Sequence, residues 1–195
     1  MSRTQLRTDS PVEIRAASPQ DCEQIRDFVN GLSVRTQFLR FFASVAPPSS
    51  GLLRGLCGTS GRADIVVAIY QGLVVGHGMA ADSWGSGGPR VSDIGLVVAD
   101  RWQQRGVGTA LLGTVVARAA ARGTSMLVMD VLPGNDRMLS MIEHRWPGAR
   151  REISADSIIV RACLPGAEMR AAQGSGRPGS AISPARCLRT SRVAA

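Results

Sequence analysis

The chain has 195 residues, 44% of them apolar, which is enough for one domain with a buried core. It contains no run of about 18 apolar residues, so no membrane-spanning helix is expected. The N-terminal residues lack the apolar segment of a signal peptide. The four cysteines form no C-x-x-C pair. We therefore expect free thiols, no metal site, no disulfide and a cytoplasmic location.

The net charge is +8, and all 23 basic residues are arginine. This charge fits an anionic partner such as nucleic acid, or a composition bias that also enriches alanine, glycine and proline. Residues 165–195 hold five arginines against one acidic residue and contain no aromatic residue. Nucleic-acid-binding surfaces usually place aromatic side chains among the basic ones. We therefore favour composition bias and expect no nucleic-acid partner.

A polar leader, residues 1–10, precedes the first predicted elements. These are a strand at 12–15, a helix capped by Ser18 and ended by Gly31, a second helix from its cap Ser33 to Phe42, and a hairpin with strands at 65–70 and 73–81. Residues 43–63 are rich in Ala, Pro, Ser and Gly and predict a flexible connection.

The second half of the chain predicts alternating strands and helices. They are a loop at 82–90, a strand at 91–98, a helix at 107–122, a strand at 125–132, and a helix from its cap Asn135 to Trp146. The close succession of strand, helix and strand implies a parallel βαβ unit. Residues 151–164 predict two edge strands or a hairpin, and residues 165–195 predict a disordered tail. The predicted domain therefore spans 11–164 and belongs to the α+β class, with a mixed sheet.

The most informative stretch is the glycine-rich turn Gln103-Gln104-Arg105-Gly106-Val107-Gly108, between a predicted strand and a predicted helix. The first N–H groups of a helix have no intrahelical partner, and the helix dipole is positive there, so such a turn favours an anion. The turn lacks the Lys-Ser/Thr of a P-loop. It also has Ala110 near the place of the third glycine of the dinucleotide fingerprint.

The pattern Q-x-x-G-x-G after a strand resembles the GNAT superfamily of N-acetyltransferases, over about residues 12–164. The resemblance implies a central twisted mixed β-sheet of six to seven strands with helices on both faces. It also implies that the turn holds the pyrophosphate of acetyl-CoA. The candidate residues there are Gln103, Gln104, Arg105, Gly106, Val107, Gly108 and Thr109.

Two further segments, 31–42 and 135–139, resemble the acetyltransferase domain of bacterial Pat-type protein lysine acetyltransferases. The resemblance implies that Asn135 contacts acetyl-CoA and that the strand before the turn holds its pantetheine arm through backbone groups. In this chain those backbone groups belong to Leu96, Val97 and Val98. A β-bulge there would point the N–H of Val98 or its neighbour at the thioester carbonyl.

Asp93 is the candidate general base, because the Pat-type relatives carry a glutamate at this position of the strand. Aspartate is one methylene shorter, which implies that it reaches the amine through a water. The alternative is a structural carboxylate in a salt bridge. Small-molecule acetyltransferases of the family have a tyrosine as general acid where this chain has Ile142, and Tyr70 is distant in sequence. Of the two histidines, His77 is the reserve base and His144 has no predicted role.

The resemblance implies an acetyl-CoA-dependent N-acetyltransferase, with acetyl-CoA as cosubstrate and no metal. The preferred acceptor is the ε-amine of a lysine in a protein, and a small amine is the alternative. A non-catalytic acyl-CoA-sensing module is a second possibility, since aspartate replaces glutamate at 93. Phe38, Phe41 and Phe42 are interpreted as a core patch or, alternatively, as a wall of the acceptor site.

Overall fold

The protein is described by a computed structural model over residues 11–59, 61, 63–83, 90–154 and 156–164. Seven strands form one sheet in the order β1-β2-β3-β4-β5-β7-β6. Their bounds are β1 Glu13–Ala16, β2 Ala63–Tyr70, β3 Leu73–Ser83, β4 Val91–Val98, β5 Met126–Val131, β6 Arg150–Ile153 and β7 Ile158–Cys163. All neighbouring strands are antiparallel except β4 and β5, which are parallel.

Five α-helices accompany the sheet: α1 Cys22–Asn30, α2 Val34–Phe41, α3 Ser50–Leu56, α4 Val107–Ala121 and α5 Asp136–Arg145. Side-chain caps fix the starts of three of them, because each cap oxygen accepts a hydrogen bond from an otherwise unsatisfied helix N–H. Ser33 caps α2, Ser49 caps α3, and Asn135 caps α5.

Alternating side chains of the strands divide the core into two clusters, one on each face of the sheet. On one face α4 packs with Ile142 of α5 against residues such as Val66 and Leu127. On the other face α1 and α3 pack against Val67 and Val97. The predicted mixed sheet with helices on both faces is therefore confirmed, and so is the parallel pair between β4 and β5.

Two expectations for the local structure were wrong. Residues 43–63 contain the helix α3, whose Leu56 is buried, and are not wholly a connection. Cys22 and Cys57 form a disulfide, although both lack a nearby cysteine in sequence. Of the two alternatives for residues 151–164 the hairpin is confirmed, because β6 and β7 pair antiparallel, and β7 lies inside the sheet between β5 and β6.

Some predictions lie outside the described residues. The polar leader at 1–10 and the tail at 165–195 are not described, nor is most of the predicted loop at 82–90, since β3 continues to Ser83 and the description resumes at Arg90. Within the described ranges, no helix has the length and apolar character needed to cross a membrane.

Candidate active site

The two parallel strands β4 and β5 pair over part of their length and then separate. Val91 to Asp93 of β4 lie in register with Met126 to Val128 of β5, and no pairing is recorded beyond that point. Both strands nevertheless continue, to Val98 and Val131. The backbone of residues 94–98 thus has no partner on the β5 side, and the gap between the strands begins at Asp93.

Asp93 lies at the point where the gap begins, and its carboxyl is half-buried. Burial raises the pKa of Asp93 to about 7, because a charged carboxylate loses hydration there. The positive charge of Arg161 opposes this rise, and the negative charge of Asp130 adds to it. A carboxyl that is partly ionised near neutral pH has the proton affinity that a general base requires.

Asp130 lies on β5, two residues beyond Val128, and so shares a sheet face with Asp93. Its Oδ1 atom is buried and has no hydrogen-bond partner among the described residues. Arg161 pairs with Val128 across β7 and β5 and contacts Glu152 at 3.6 Å. By the same register rule Arg161 shares this face, so one side of the opening carries two carboxyl groups and one guanidinium.

The glycine-rich turn leads into α4 as expected. Gly106 adopts φ 81°, and a β-carbon there would meet no atom within 4 Å. As the residue before the helix, Gly106 supplies no side-chain cap, so the first N–H groups of α4 are left for another acceptor. The guanidinium groups of Arg105 and Arg137 border the turn. That of Arg105 lies over the Trp102 ring, and that of Arg137 donates to Gln103 Oε1. Open space, free N–H groups and cationic side chains fit a phosphate group.

The side chains of Gln103 and Asn135 serve the fold. The Gln103 amide donates to the Val98 carbonyl at 3.1 Å and to Thr36 Oγ1 at 3.2 Å, and so joins the turn to the end of β4 and to α2. Asn135 Oδ1 accepts from the Met138 N–H at 3.4 Å. Asp100 fastens the start of α2 through hydrogen bonds from Ser33 and Thr36.

His77, the reserve base, is buried and neutral. Its Nε2 donates to the Leu56 carbonyl at 2.8 Å, and its buried Nδ1 has no hydrogen-bond partner among the described residues. Burial lowers its pKa to about 4, so it is neutral at pH 7. The Tyr70 ring packs at a tilt against Trp102, with ring centroids 4.5 Å apart, and Ile142 is wholly buried in the core. His144 is exposed on α5.

Arg40 of α2, to which the sequence analysis assigned no function, lies beside the part of β4 that β5 leaves unpaired. Its guanidinium lies against Gly95 of β4, where a β-carbon would stand 2.9 Å from Nη1. The Nε atom is buried without a hydrogen-bond partner among the described residues. A glycine at 95 within an otherwise branched strand is the sequence signal that a neighbouring group approaches closely.

No group of three or more metal-ligating side chains occurs in the part of the chain that the structure describes. The gap between β4 and β5, with Asp93 at its start, and the phosphate-compatible turn at Gly106 are therefore the two features from which a function is argued.

Comparison with known proteins agrees with this geometry. Residues 35–145 match the acetyltransferase (GNAT) family. The GNAT domain of S. lividans PAT superposes with a TM-score of 0.69 at 22% identity, over 78% of this chain and 90% of that one. No curated protein sequence matches significantly.

Two further similar structures were solved with ligands. A phosphinothricin acetyltransferase from Sinorhizobium meliloti, in complex with AcCoA, has a TM-score of 0.60 and 17% identity, over 90% of this chain and 97% of that one. The PaiA N-acetyltransferase from Thermoplasma acidophilum, in complex with coenzyme A, has a TM-score of 0.58 and 12% identity, over 80% of this chain and 100% of that one. At these identities the likeness establishes the fold.

Proposed function

Because the chain belongs to the acetyltransferase (GNAT) family, we propose that it transfers an acetyl group from acetyl-CoA to a primary amine, with Asp93 as the general base. The observation that carries the proposal is the separation of β4 from β5 immediately after Asp93. This arrangement sets a carboxyl with a raised pKa beside a stretch of unpaired strand backbone.

Acetyl-CoA fits the residues present. The diphosphate suits the free N–H groups at the start of α4, with Gly106 and Gly108 allowing close approach and Gln104, Arg105 and Thr109 at the rim. The backbone of Leu96, Val97 and Val98 would hold the pantetheine amides. Bound there, acetyl-CoA supplies an activated acyl group. Gln103 and Asn135 would act by shaping the turn and the start of α5.

Asp93 takes the proton of the acceptor amine, directly or through a water. A primary ammonium is unreactive, so the nitrogen must lose a proton before or during attack. With a pKa near 7, Asp93 is ionised in about half of the molecules at neutral pH. Asp130 adds a second negative group on the same face, which favours the approach of an ammonium.

The preferred acceptor is the ε-amine of a lysine in a protein, and a small amine is the alternative. Two large apolar side chains of α2 are exposed, Val34 at 68% and Phe38 at 50%, and they lie on the helix that carries Arg40. Val34 and Phe38 lie on the exposed face of α2, and exposed apolar side chains suit a protein partner better than a small polar amine.

Amine-dependent thiol release tests the proposal. We expect the protein to release CoA from acetyl-CoA faster when a lysine-containing peptide or protein is added, with one acetyl group appearing on the lysine by mass spectrometry. A panel of small amines, assayed in parallel, ranks the two acceptor classes. Tight acetyl-CoA binding with no amine-dependent thiol release from either class would instead indicate an acyl-CoA-sensing module.

A further inference from the structure

Arg40 lies on α2 against the unpaired half of β4. Its guanidinium packs on Gly95, the second residue after Asp93, so closely that a β-carbon would collide with it. Gly95 belongs to the stretch of β4 that has lost β5 as a neighbour. Arg40 therefore borders β4 between Asp93, the proposed base, and the backbone at 96–98 that is proposed to hold the pantetheine arm.

The charge of Arg40 has no counter-ion among the described residues. None of the ion pairs in those ranges includes it, and its Nε lacks any hydrogen-bond partner. Its guanidinium carbon lies 5.2 Å from the centroid of the Phe41 ring. Burial lowers the pKa of Arg40 to about 10, because a charged guanidinium loses hydration there. An unpaired cation is costly to bury, so an anion from outside the fold is the expected partner.

The backbone N–H groups of β4 beyond Asp93 are one source of donors here, and the side chains offer few others within the described residues. The family tyrosine position holds the apolar Ile142, the Tyr70 ring packs at a tilt against Trp102, and His77 donates to a backbone carbonyl. Arg161, the other nearby cation, has Glu152 as a partner and lies two strands away from β4. Arg40 is thus the unpaired cationic side chain beside this stretch of β4.

We infer that Arg40 is a catalytic residue that stabilises the negative charge developing on the acyl oxygen during transfer. This inference rests on the proposed function. The acceptor nitrogen forms the new N–C bond while the electron pair of the C=O bond moves to oxygen. The electron pair on oxygen then re-forms the C=O bond as the C–S bond breaks, the C–S electron pair leaves with the thiolate, and Asp93 takes the proton of the nitrogen. Arg40 stays protonated throughout and donates hydrogen bonds to the oxygen.

Two thioether analogues of acetyl-CoA test the inference without turnover. S-carboxymethyl-CoA carries an anionic oxygen near the acyl position, and S-carbamoylmethyl-CoA is its neutral counterpart. At pH 6, where Asp93 is largely protonated, we expect calorimetry to show at least about tenfold tighter binding of the anionic analogue to the wild type. Arg40→Gln should lose this preference and keep its affinity for the neutral analogue, and Arg40→Lys should retain part of it.

Turnover gives the second readout, with Arg35→Gln as the matched control because Arg35 is exposed on the same helix. We expect Arg40→Gln to lower kcat roughly 10²- to 10³-fold with every amine, leaving the KM for acetyl-CoA unchanged, as for a lost oxyanion donor. Arg35→Gln should match the wild type. If Arg40→Gln fails to fold, Arg40→Lys gives the same comparison with a smaller loss.

Three results overturn the inference. They are a wild type with no preference for the anionic analogue, a preference that survives in Arg40→Gln, and a turnover defect confined to the KM of carboxylate-bearing acceptors. The last would assign Arg40 to an anionic group of the acceptor. A wild type that prefers the anionic analogue yet releases no thiol would contradict the proposed function while supporting the anion site at Arg40.

Discussion

Asp93 derives its chemistry from neighbours that are distant in sequence. Its position on the strand before the turn is visible in the sequence, and the resemblance singled it out from there. The raised pKa depends on burial and on the charges of Arg161 and Asp130, which belong to β7 and β5. Such neighbours become apparent only when the strand order is known, so the sequence predicts the residue and the structure explains its proton affinity.

The raised pKa of Asp93 predicts how stability changes with pH. Between its ordinary pKa of 3.8 and about 7, the folded protein holds a proton that the unfolded chain has lost, so stability falls as pH rises through this window. Asp93→Asn removes the effect. We expect the variant to gain about 2–4 kcal/mol relative to wild type between pH 4 and pH 8. Urea unfolding at both pH values measures this, and an unchanged difference would show that Asp93 is not held protonated by the fold.

The helix α4 and its preceding turn could be predicted almost completely from sequence, because the signal lies in consecutive residues. The short helix α3 could not. It has seven residues, includes Gly51 and Gly55, and shows no long apolar period. Its stability comes from the burial of Leu56 and from the Cys22–Cys57 bond to α1, and both are tertiary contacts. The sequence therefore predicts elements with strong local patterns and misses those that depend on packing.

A phosphate site in the turn before α4 predicts that glutamate affects acetyl-CoA binding differently at the two ends of that helix. Gly106 and Gly123 flank the helix, both with positive φ and both with open space around a β-carbon, so glutamate strains the backbone equally at either position. We expect Gly106→Glu to abolish acetyl-CoA binding, since its carboxylate fills the proposed phosphate site. Gly123→Glu should bind as the wild type does. Calorimetry compares them, and equal affinity in the two variants would refute the assignment of the turn.

In the molecule as a whole, a cluster of ion pairs links the C-terminal end of α4, remote from the glycine-rich turn, to the strands β2 and β3. Asp64 of β2 accepts from Arg118 of α4 and from Arg122, which follows that helix, 54 and 58 positions away; Asp82 of β3 accepts from Arg90 and Arg122. These groups line a cleft of about 840 Å³. The sequence could not predict these pairs, because the partners come from different elements.

The cluster contributes stability that acid removes. Burial works to raise the pKa of Asp64, but the hydrogen bonds and charges of Arg118 and Arg122 outweigh it and lower the pKa. The contribution is therefore fully present above the ordinary carboxyl pKa and is lost as pH falls through the lowered pKa of the folded state. We expect Asp64→Asn to cost about 1–3 kcal/mol at pH 7 and less than that at pH 3.

Glu143→Gln, in an exposed pair with Arg151, is the matched control for Asp64→Asn and should cost less than about 1 kcal/mol. Urea denaturation of both variants at the two pH values measures the differences. Equal stability of Asp64→Asn and wild type at pH 7 would show that the cluster does not stabilise the fold.

We propose that Asp93 is the base of an N-acetyltransferase, and the pH dependence of kcat/KM tests this role. It is measured for wild type, Asp93→Asn and Asp93→Glu with one amine acceptor, since this profile reports the ionisable groups of the free enzyme. We predict that the kcat/KM of the wild type has a limb that rises with pH through a pKa near 7. Asp93→Asn should lose that limb and fall roughly 10²-fold or more in turnover, with acetyl-CoA affinity unchanged and any rise from the amine's own titration kept. Asp93→Glu should remain active. If Asp93→Asn keeps wild-type turnover and an unchanged pH limb, Asp93 is not the base and is a structural carboxylate.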